Sequence, residues 1–246
     1  MKFIKIPSFL FSALLTGAFL SCSSQIAGTI KSGGTAEFNV NTSLEPRMAA
    51  LIRSFKSMAG SSGGNQDLIL DGAAISLSMA ASPGMGRVNF ENSGPAAIKG
   101  KAELIKVEDF LAVAGKGKRF VTFTENAENR PGQGRIVISL DRENAPEVIA
   151  LLSAEASAYL SALMAPAVTG EALSRSEYLF LVSSFYGQPI ADEINTAKIT
   201  ASIEFPGRIT AIQGGTASGS RTEFQFPLIE LLLLEKPLSW EVYWQK

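Results

Sequence analysis

The most reactive side chain in this 246-residue sequence is the thiol of Cys22, the chain's single cysteine. It cannot form an intramolecular disulfide, so its position needs another explanation. The sequence has no histidine, which excludes Ser-His-Asp triads, histidine general bases and the usual histidine-containing catalytic zinc sites. Any catalysis would have to rely on Asp, Glu, Ser, Lys or Tyr side chains.

The residues before Cys22 have the pattern of an export signal. A basic start and an apolar run from residue 9 to residue 20 precede the small Ser21, and the run is too short to span a membrane. The segment Phe19-Leu20-Ser21-Cys22 resembles the lipobox of bacterial lipoproteins, with Phe19 where the common pattern has Leu. The resemblance implies a signal peptide at 1–21 and a lipid of the palmitate type on Cys22. The alternative is a plain signal peptide with a chance cysteine at its end.

The composition bounds the remaining chain. Removing residues 1–21 takes away Lys2 and Lys5, which leaves 20 basic residues against 23 acidic ones. A nucleic-acid partner would require a strongly basic face, so we expect none. Hydrophobic residues make up 46% of the chain and charged residues 18%, which indicates a folded globule. We expect one domain, residues 22–246, attached to a bacterial membrane on its periplasmic or surface side.

Hydrophobic periodicity predicts the elements. Residues 23–25 form a short tether, residues 26–30 and 35–42 form a hairpin, and residues 214–220 form a loose turn. Further strands are predicted at 87–90, 97–104, 119–124, 134–140, 198–205, 208–212, 222–226 and 240–244. Helices are predicted at 43–58 with Ser43 as the cap, and at 67–82, 107–114, 144–165 with Asn144 as the cap, and 174–186. The predicted fold class is α+β: a mainly antiparallel sheet with helices packed on one side and a helical excursion near 144–194.

The C-terminal third carries a second resemblance. Phe205-Pro206-Gly207, Gly214-Gly215, the run 222–228 and the run 237–244 resemble the end of the LppM-like domain of bacterial lipoproteins, and the early hairpin followed by a helix is similar too. The resemblance implies a lipid-anchored envelope protein with a lipid-binding α+β domain. The helical excursion at 144–194 departs from that family's pattern.

Other candidate motifs favour ordinary surface roles. Residues 60–64 read Gly-Ser-Ser-Gly-Gly and formally fit a nucleophile elbow, but they follow a helix and lack a histidine partner. The acidic neighbours Glu108-Asp109 and Asp192-Glu193 are more typical of a solvated face than of a catalytic pair. The basic cluster Lys116, Lys118 and Arg119 could meet an anionic headgroup or phosphate, but three charges in a Gly-rich loop are more often a soluble turn, which we favour.

The apolar helices near 70–80 and 173–186 point to binding rather than catalysis. A helix that is apolar nearly all round is buried or lines an apolar space, so the predicted ligand-binding residues are Leu77, Leu179, Phe180 and Phe185. The first hypothesis is therefore a non-enzymatic lipoprotein with a pocket for a lipid or other apolar ligand. The second is an envelope scaffold with a solid core that binds another protein. We expect no cofactor, no metal and no enzymatic activity.

Overall fold

The structure, a computed structural model, describes residues 23–58, 68–81, 84–107, 120–125, 132–150 and 159–246. These ranges contain eleven strands, most of which alternate apolar and polar residues. They are β1 Ser23–Ile30, β2 Ala36–Ser43, β3 Met85–Gly94, β4 Ala97–Leu104, β5 Val121–Glu125, β6 Gln133–Leu140, β7 Lys198–Glu204, β8 Arg208–Gln213, β9 Gly215–Ser218, β10 Arg221–Pro227 and β11 Leu238–Gln245.

Two sheets share these strands. The larger sheet has the order β3-β4-β2-β1-β7-β10-β9, and the smaller one has the order β5-β6-β11-β8. Every neighbouring pair is antiparallel except β1 and β7, which run parallel. The predicted α+β class with a mainly antiparallel sheet is therefore confirmed, and the strands are divided between two sheets.

Seven helices with bounds are described. They are α1 Pro46–Met58, α2 Gly72–Ala80, α3 Ala145–Ala150, α4 Pro166–Thr169, α5 Arg175–Tyr186, α6 Gln188–Thr196 and α7 Leu228–Leu233, and residues 159–162 are also helical. An ideal Cβ atom on Gly72 would lie 3.0 Å from the carbonyl oxygen of Phe90, so α2 lies directly on β3. Helices α3 to α6 form the excursion predicted between residues 144 and 194.

Aromatic side chains join the two sheets. The Trp244 ring of β11 lies 4.8 Å from the Phe205 ring at the end of β7, measured between ring centroids. Trp240 meets Phe226 of β10 edge to face at 4.6 Å. Trp244 is 1% exposed, and burying so large a ring contributes several kcal/mol, on the order of 3–5 by analogy with truncation costs. The last strand, β11, therefore packs against the larger sheet through its two tryptophan rings.

Within the described strands, a glycine faces an aromatic ring at four cross-strand positions. Trp244 is the register partner of Gly134, and an ideal Cβ atom on Gly134 would lie 2.0 Å from its ring. The other three pairs are Phe38 with Gly28, Phe90 with Gly100 and Phe224 with Gly215. In each pair the ring lies over the space that a side chain on the glycine would need. A shift of the strand register would place the ring opposite a residue with a side chain, so these pairs favour the observed register.

Several predicted details were wrong. Residues 23–25 are not a tether, because β1 already begins at Ser23. Ser43 ends β2 and does not cap α1, which begins at Pro46. Residues 215–218 form β9 instead of a loose turn. The first two errors share one cause: residues 23–25 and Ser43 pair with strands that are distant in the sequence, which local propensity does not report. The third error is local, because β9 pairs with β10 across a tight turn.

Two further predictions fall in or beside the undescribed ranges: the helix at 107–114, and Asn144 as the cap of the helix at 144–165. The helix expected at 107–114 lies almost wholly outside the described residues. The side chain of Asn144 accepts the backbone N–H of Asp141 at 2.9 Å and donates to the Ser139 carbonyl at 3.0 Å. Asn144 therefore fixes the turn that precedes α3.

Filling the space at Gly134 should destabilise the fold. In Gly134→Ala the methyl group would overlap the Trp244 ring, so we expect the free energy of unfolding to fall by about 1–3 kcal/mol. The matched control is Gly94→Ala, whose Cβ atom would meet only Ala97 at 3.9 Å. Denaturant unfolding monitored by tryptophan fluorescence measures both. Equal midpoints for the two variants would contradict the role assigned to this pair.

Candidate functional site

The outward surface of the seven-stranded sheet, here called the open face, carries a polar recess. Its side chains come from alternate positions of β1, β2, β3, β4, β7 and β10, while the intervening positions face the core. The recess is partly open to solvent, and its volume is about 980 Å³. Small-molecule sites in proteins commonly occupy 300–1,000 Å³, so the space is large enough for a ligand.

Strand register arranges polar side chains in rows across the recess. One row runs Lys99, Asn41, Gln25 and Thr200, and the next runs Asn89, Lys101, Asn39, Ala27 and Ser202. Amides and hydroxyls both donate and accept hydrogen bonds. The centre of the recess therefore offers paired donors and acceptors on a rigid sheet.

Charged side chains surround these amides. Within the described residues, Arg87, Lys99 and Lys101 line the recess together with Glu37, Glu91, Glu103 and Glu223. Cations and carboxylates are nearly balanced, so the recess has no strong preference for a polyanion. The arrangement suits a polar ligand that carries hydroxyl, amide, amino and carboxylate groups together.

Glu37 lies close to another carboxylate and is stabilised by a lysine. It lies directly opposite Glu103 in the register of β2 and β4, and like charges at such positions repel. The Lys31 side chain forms an ion pair with Glu37. The pKa of Glu37 is lowered by the hydrogen bond from Lys31, by the charge of Lys31 and by the charge of Lys101. The ionised form of this carboxylate is therefore favoured at the rim of the recess.

Helix α5 carries most of the predicted ligand-binding residues. A capping box opens it, in which the Ser174 hydroxyl accepts the Glu177 N–H and the Glu177 carboxylate accepts the Ser174 N–H. The hydroxyl of Tyr178 donates to the Leu163 carbonyl at 3.1 Å, and the hydroxyl of Tyr186 donates to the Ala162 carbonyl. Burial raises the pKa of both phenols. One face of α5 is thereby fixed against residues 159–163.

The opposite face of α5 is open to solvent. Phe180 is 74% exposed and Phe185 is 67% exposed, whereas Leu179 is half-buried against the core. Leu77 is 77% exposed on α2, which packs on β3. The four predicted ligand-binding residues therefore lie on two separate helices, and none of them lines either described cavity. Their role in ligand binding stays a prediction.

An apolar cavity does lie between helices, but it is small. It is lined by Leu140, Ile149, Leu160 and Val168 among others, and it encloses about 20 Å³. That space is about enough for one water molecule. The described core is thus filled at this point, and an acyl chain would need a different conformation to enter.

The carboxylate Glu193 has a structural partner. Its Oε2 atom accepts the backbone N–H of Met48 at 3.1 Å, in the first turn of α1. Burial raises the pKa of Glu193, while the Met48 hydrogen bond and Arg47 act in the opposite direction. The neighbouring Asp192 is exposed and accepts a hydrogen bond from Gln188, so the two carboxylates do not act as a pair.

Several predicted site residues lie outside the described residues. These are Cys22 and the residues of two surface candidates, Glu108, Asp109, Lys116, Lys118 and Arg119. Across the described ranges, no group of three or more His, Cys, Asp and Glu side chains could hold a metal ion. No described helix combines the length and apolar character needed to cross a bilayer.

Comparison with known proteins gives a weak structural similarity and no sequence match. No family model matches it, and no curated protein sequence matches it. Among solved structures, it is similar to the folded domain of the Mycobacterium tuberculosis LppM protein, determined by NMR. The TM-score is 0.40 at 8% sequence identity, over 91% of this chain and 88% of that one. Membership of the LppM-like family therefore stays a prediction.

Glu193 should control the stability of α1. In Glu193→Ala the Met48 N–H loses its acceptor, so we expect the free energy of unfolding to fall by about 1 kcal/mol. In Glu193→Gln the acceptor oxygen remains and the buried charge is removed. Because the folded chain raises the pKa of this carboxyl, its contribution to stability is greatest at low pH and declines as pH rises through the folded-state pKa.

Urea unfolding at about pH 4 and about pH 7 measures both effects. Glu193→Gln should match the parent protein at the lower pH and equal or exceed it at the higher pH. Asp192→Ala, on the exposed neighbour, serves as the control. A Gln variant as unstable as the Ala variant would refute the capping role.

Proposed function

We propose that this protein is a non-enzymatic lipoprotein of the bacterial envelope, anchored through Cys22, that binds a polar ligand on its open face. The anchor rests on the lipobox-like segment 19–22 and on the single cysteine at its end. The binding role rests on one observation, the recess of about 980 Å³ lined by rows of amides, hydroxyls and balanced charges.

The chemistry of the chain favours binding over catalysis. The sequence has no histidine and no second cysteine, so the common nucleophile and base pairs are unavailable. Burial raises the pKa of the Glu193 carboxyl, but this group already accepts the backbone N–H of Met48 at the start of α1. The carboxylates of the recess lie on an open surface, where water would compete with a reacting group.

The ligand class follows from the recess lining. Amides such as Asn39 and Asn89 suit hydroxyl and amide groups, whereas Lys101 and Glu223 suit carboxylate and amino groups. Fragments of cell-wall peptidoglycan carry all four kinds of group and are present where an envelope protein resides. We therefore propose a glycopeptide of this type as the ligand.

A second candidate function keeps the apolar surfaces as the binding sites. Phe180, Phe185 and Leu77 are large apolar side chains that are mostly exposed, and such residues are common at contacts with proteins or lipids. In this alternative the protein is an envelope scaffold that binds another protein, or a lipid, through α5 and α2. The cavity of about 20 Å³ favours such an external contact over an internal lipid pocket.

The anchor can be tested directly. In cells, the parent protein should partition with membranes and incorporate labelled palmitate. Cys22→Ser should abolish the label and release most of the protein into the aqueous fraction, because no thiol remains to be acylated. Ser21→Ala retains a small residue before the cysteine and serves as the control. Normal processing and membrane partition of Cys22→Ser would contradict the lipoprotein assignment.

The recess can be tested with a blocking side chain. Asn39 is exposed at the centre of the open face, so the ring in Asn39→Trp should obstruct the centre of the recess without entering the core. We expect binding of soluble peptidoglycan fragments to weaken at least about ten-fold, a loss of about 1.4 kcal/mol. Native mass spectrometry of the detergent-solubilised protein measures it.

The matched control is Thr210→Trp, an exposed position on β8 of the smaller sheet. Binding by this variant should equal that of the parent protein. Fragments that bind both variants equally, or that do not bind the parent protein, would overturn the assignment of the recess.

A further inference from the structure

The proposed lipid anchor and the folded domain have no linker between them. β1 begins at Ser23, and a peptide bond holds the Cα atom of Cys22 about 3.8 Å from that of Ser23. A long flexible tether would allow the domain to rotate freely above the bilayer. Here the sheet starts at the residue after the anchor, so the end of the sheet that holds Ser23 must lie at the membrane surface.

Strand register shows which residues share that end. Ser23 is flanked by Ser43 of β2 and Lys198 of β7. Ala97 of β4 lies opposite Ser43, and Pro227 of β10 lies opposite Lys198. These five residues, here called the basal row, lie at the ends of five neighbouring strands. With strands about 4.8 Å apart, the row is about 19 Å wide.

The chemistry around the basal row suits a headgroup layer. Beyond Ala97 the β3–β4 turn presents Pro95, which is exposed, and Ala96, which is half-buried. Two cations are accessible here: Lys198 is exposed, and the side chain of Arg47 at the start of α1 is 65% exposed. Long cationic side chains reach phosphate groups readily.

Carboxylates near the basal row offset part of this charge. Glu45 is exposed, and the Glu193 carboxylate accepts the Met48 N–H through Oε2 while its Oε1 atom lies 3.9 Å from Arg47 in an ion pair. The basal end therefore combines small uncharged turns with the exposed Lys198 and with an Arg47 charge that Glu193 partly neutralises.

We propose that the basal row docks on the phospholipid headgroups, with the strands of the larger sheet rising steeply from the bilayer. This inference rests on the proposed lipidation of Cys22. In this orientation the β1–β2 turn, at the opposite end of eight-residue strands, stands about 25 Å farther from the membrane. The open face then points sideways, where a ligand in the envelope can reach the recess.

Two serines at opposite ends of the sheet provide a matched test. Ser93 is exposed near the basal row, and Ser32 is exposed in the β1–β2 turn. The lipidated full-length variants Ser93→Cys and Ser32→Cys would each be labelled with a maleimide fluorophore, because the thioether at Cys22 does not react. They would then be reconstituted into phosphatidylethanolamine and phosphatidylglycerol vesicles that contain a headgroup-quenching lipid.

The label at residue 93 should lose most of its fluorescence, whereas the label at residue 32 should retain most of it. The expected separation of about 25 Å is several times the depth of one headgroup layer, roughly 5–8 Å. Unfolding midpoints equal to that of the parent protein would exclude misfolding as the cause. Equal quenching at both positions would overturn the docking orientation in favour of a contact along the helical side.

The experiment distinguishes failure of the lipid-anchor hypothesis from failure of the docking orientation. A protein that does not float with the vesicles, or whose Cys22 accepts the maleimide, refutes the lipid anchor and the docking proposal with it. A protein that floats but shows greater quenching at residue 32 retains the anchor and refutes the orientation alone.

Discussion

One parallel ladder holds the two halves of the larger sheet together. Residues 23–29 of β1 pair with residues 198–204 of β7, and every other neighbouring pair in the sheet is antiparallel. A parallel pair cannot be closed by a tight turn, so the whole chain from β2 to α6 serves as the connection. The recess crosses this ladder, since Gln25 and Thr200 are register partners on the open face. Neither half could form the recess alone.

The register of the strands has a simple steric basis. A shift by one residue would move each inward side chain to the open face, and the aromatic rings that lie over glycines add a second penalty. At Gly100, for example, an ideal Cβ atom would lie 2.2 Å from the Asn89 carbonyl oxygen and 2.7 Å from the Phe90 ring. Only glycine allows β3 and β4 to approach this closely at that position. The polar rows of the open face are thus fixed by contacts on the opposite side of the same sheet.

The sequence predicts local features better than distant ones. The alternation of apolar and polar residues along 198–205 and 134–140 identified strands, because it requires only that one face of each strand be buried. The same alternation could not reveal that Asn39, Lys101 and Ser202 share one row, since that depends on pairings between residues far apart in the chain. Helix 174–186 was also identified, but its composition could not say which apolar side chains are exposed. Tyr178 is fully buried and Phe180 mostly exposed because residues 159–163 cover one side of the helix only.

The two faces of the larger sheet differ in chemistry: one packs against the core, and the other carries the polar recess. The inward face is almost wholly apolar, and its buried hydroxyls are hydrogen-bonded: Ser24 and Thr42 to each other at 2.8 Å, and Thr222 to the Ile203 carbonyl at 3.3 Å. A protein with a filled core can change its outward side chains at little cost in folding free energy, because surface substitutions away from caps and partners are nearly neutral. Selection for a ligand can therefore act on the open face while the glycines and aromatic rings beneath it keep the register. This separation is the physical reason for proposing the polar face of the sheet as the binding surface.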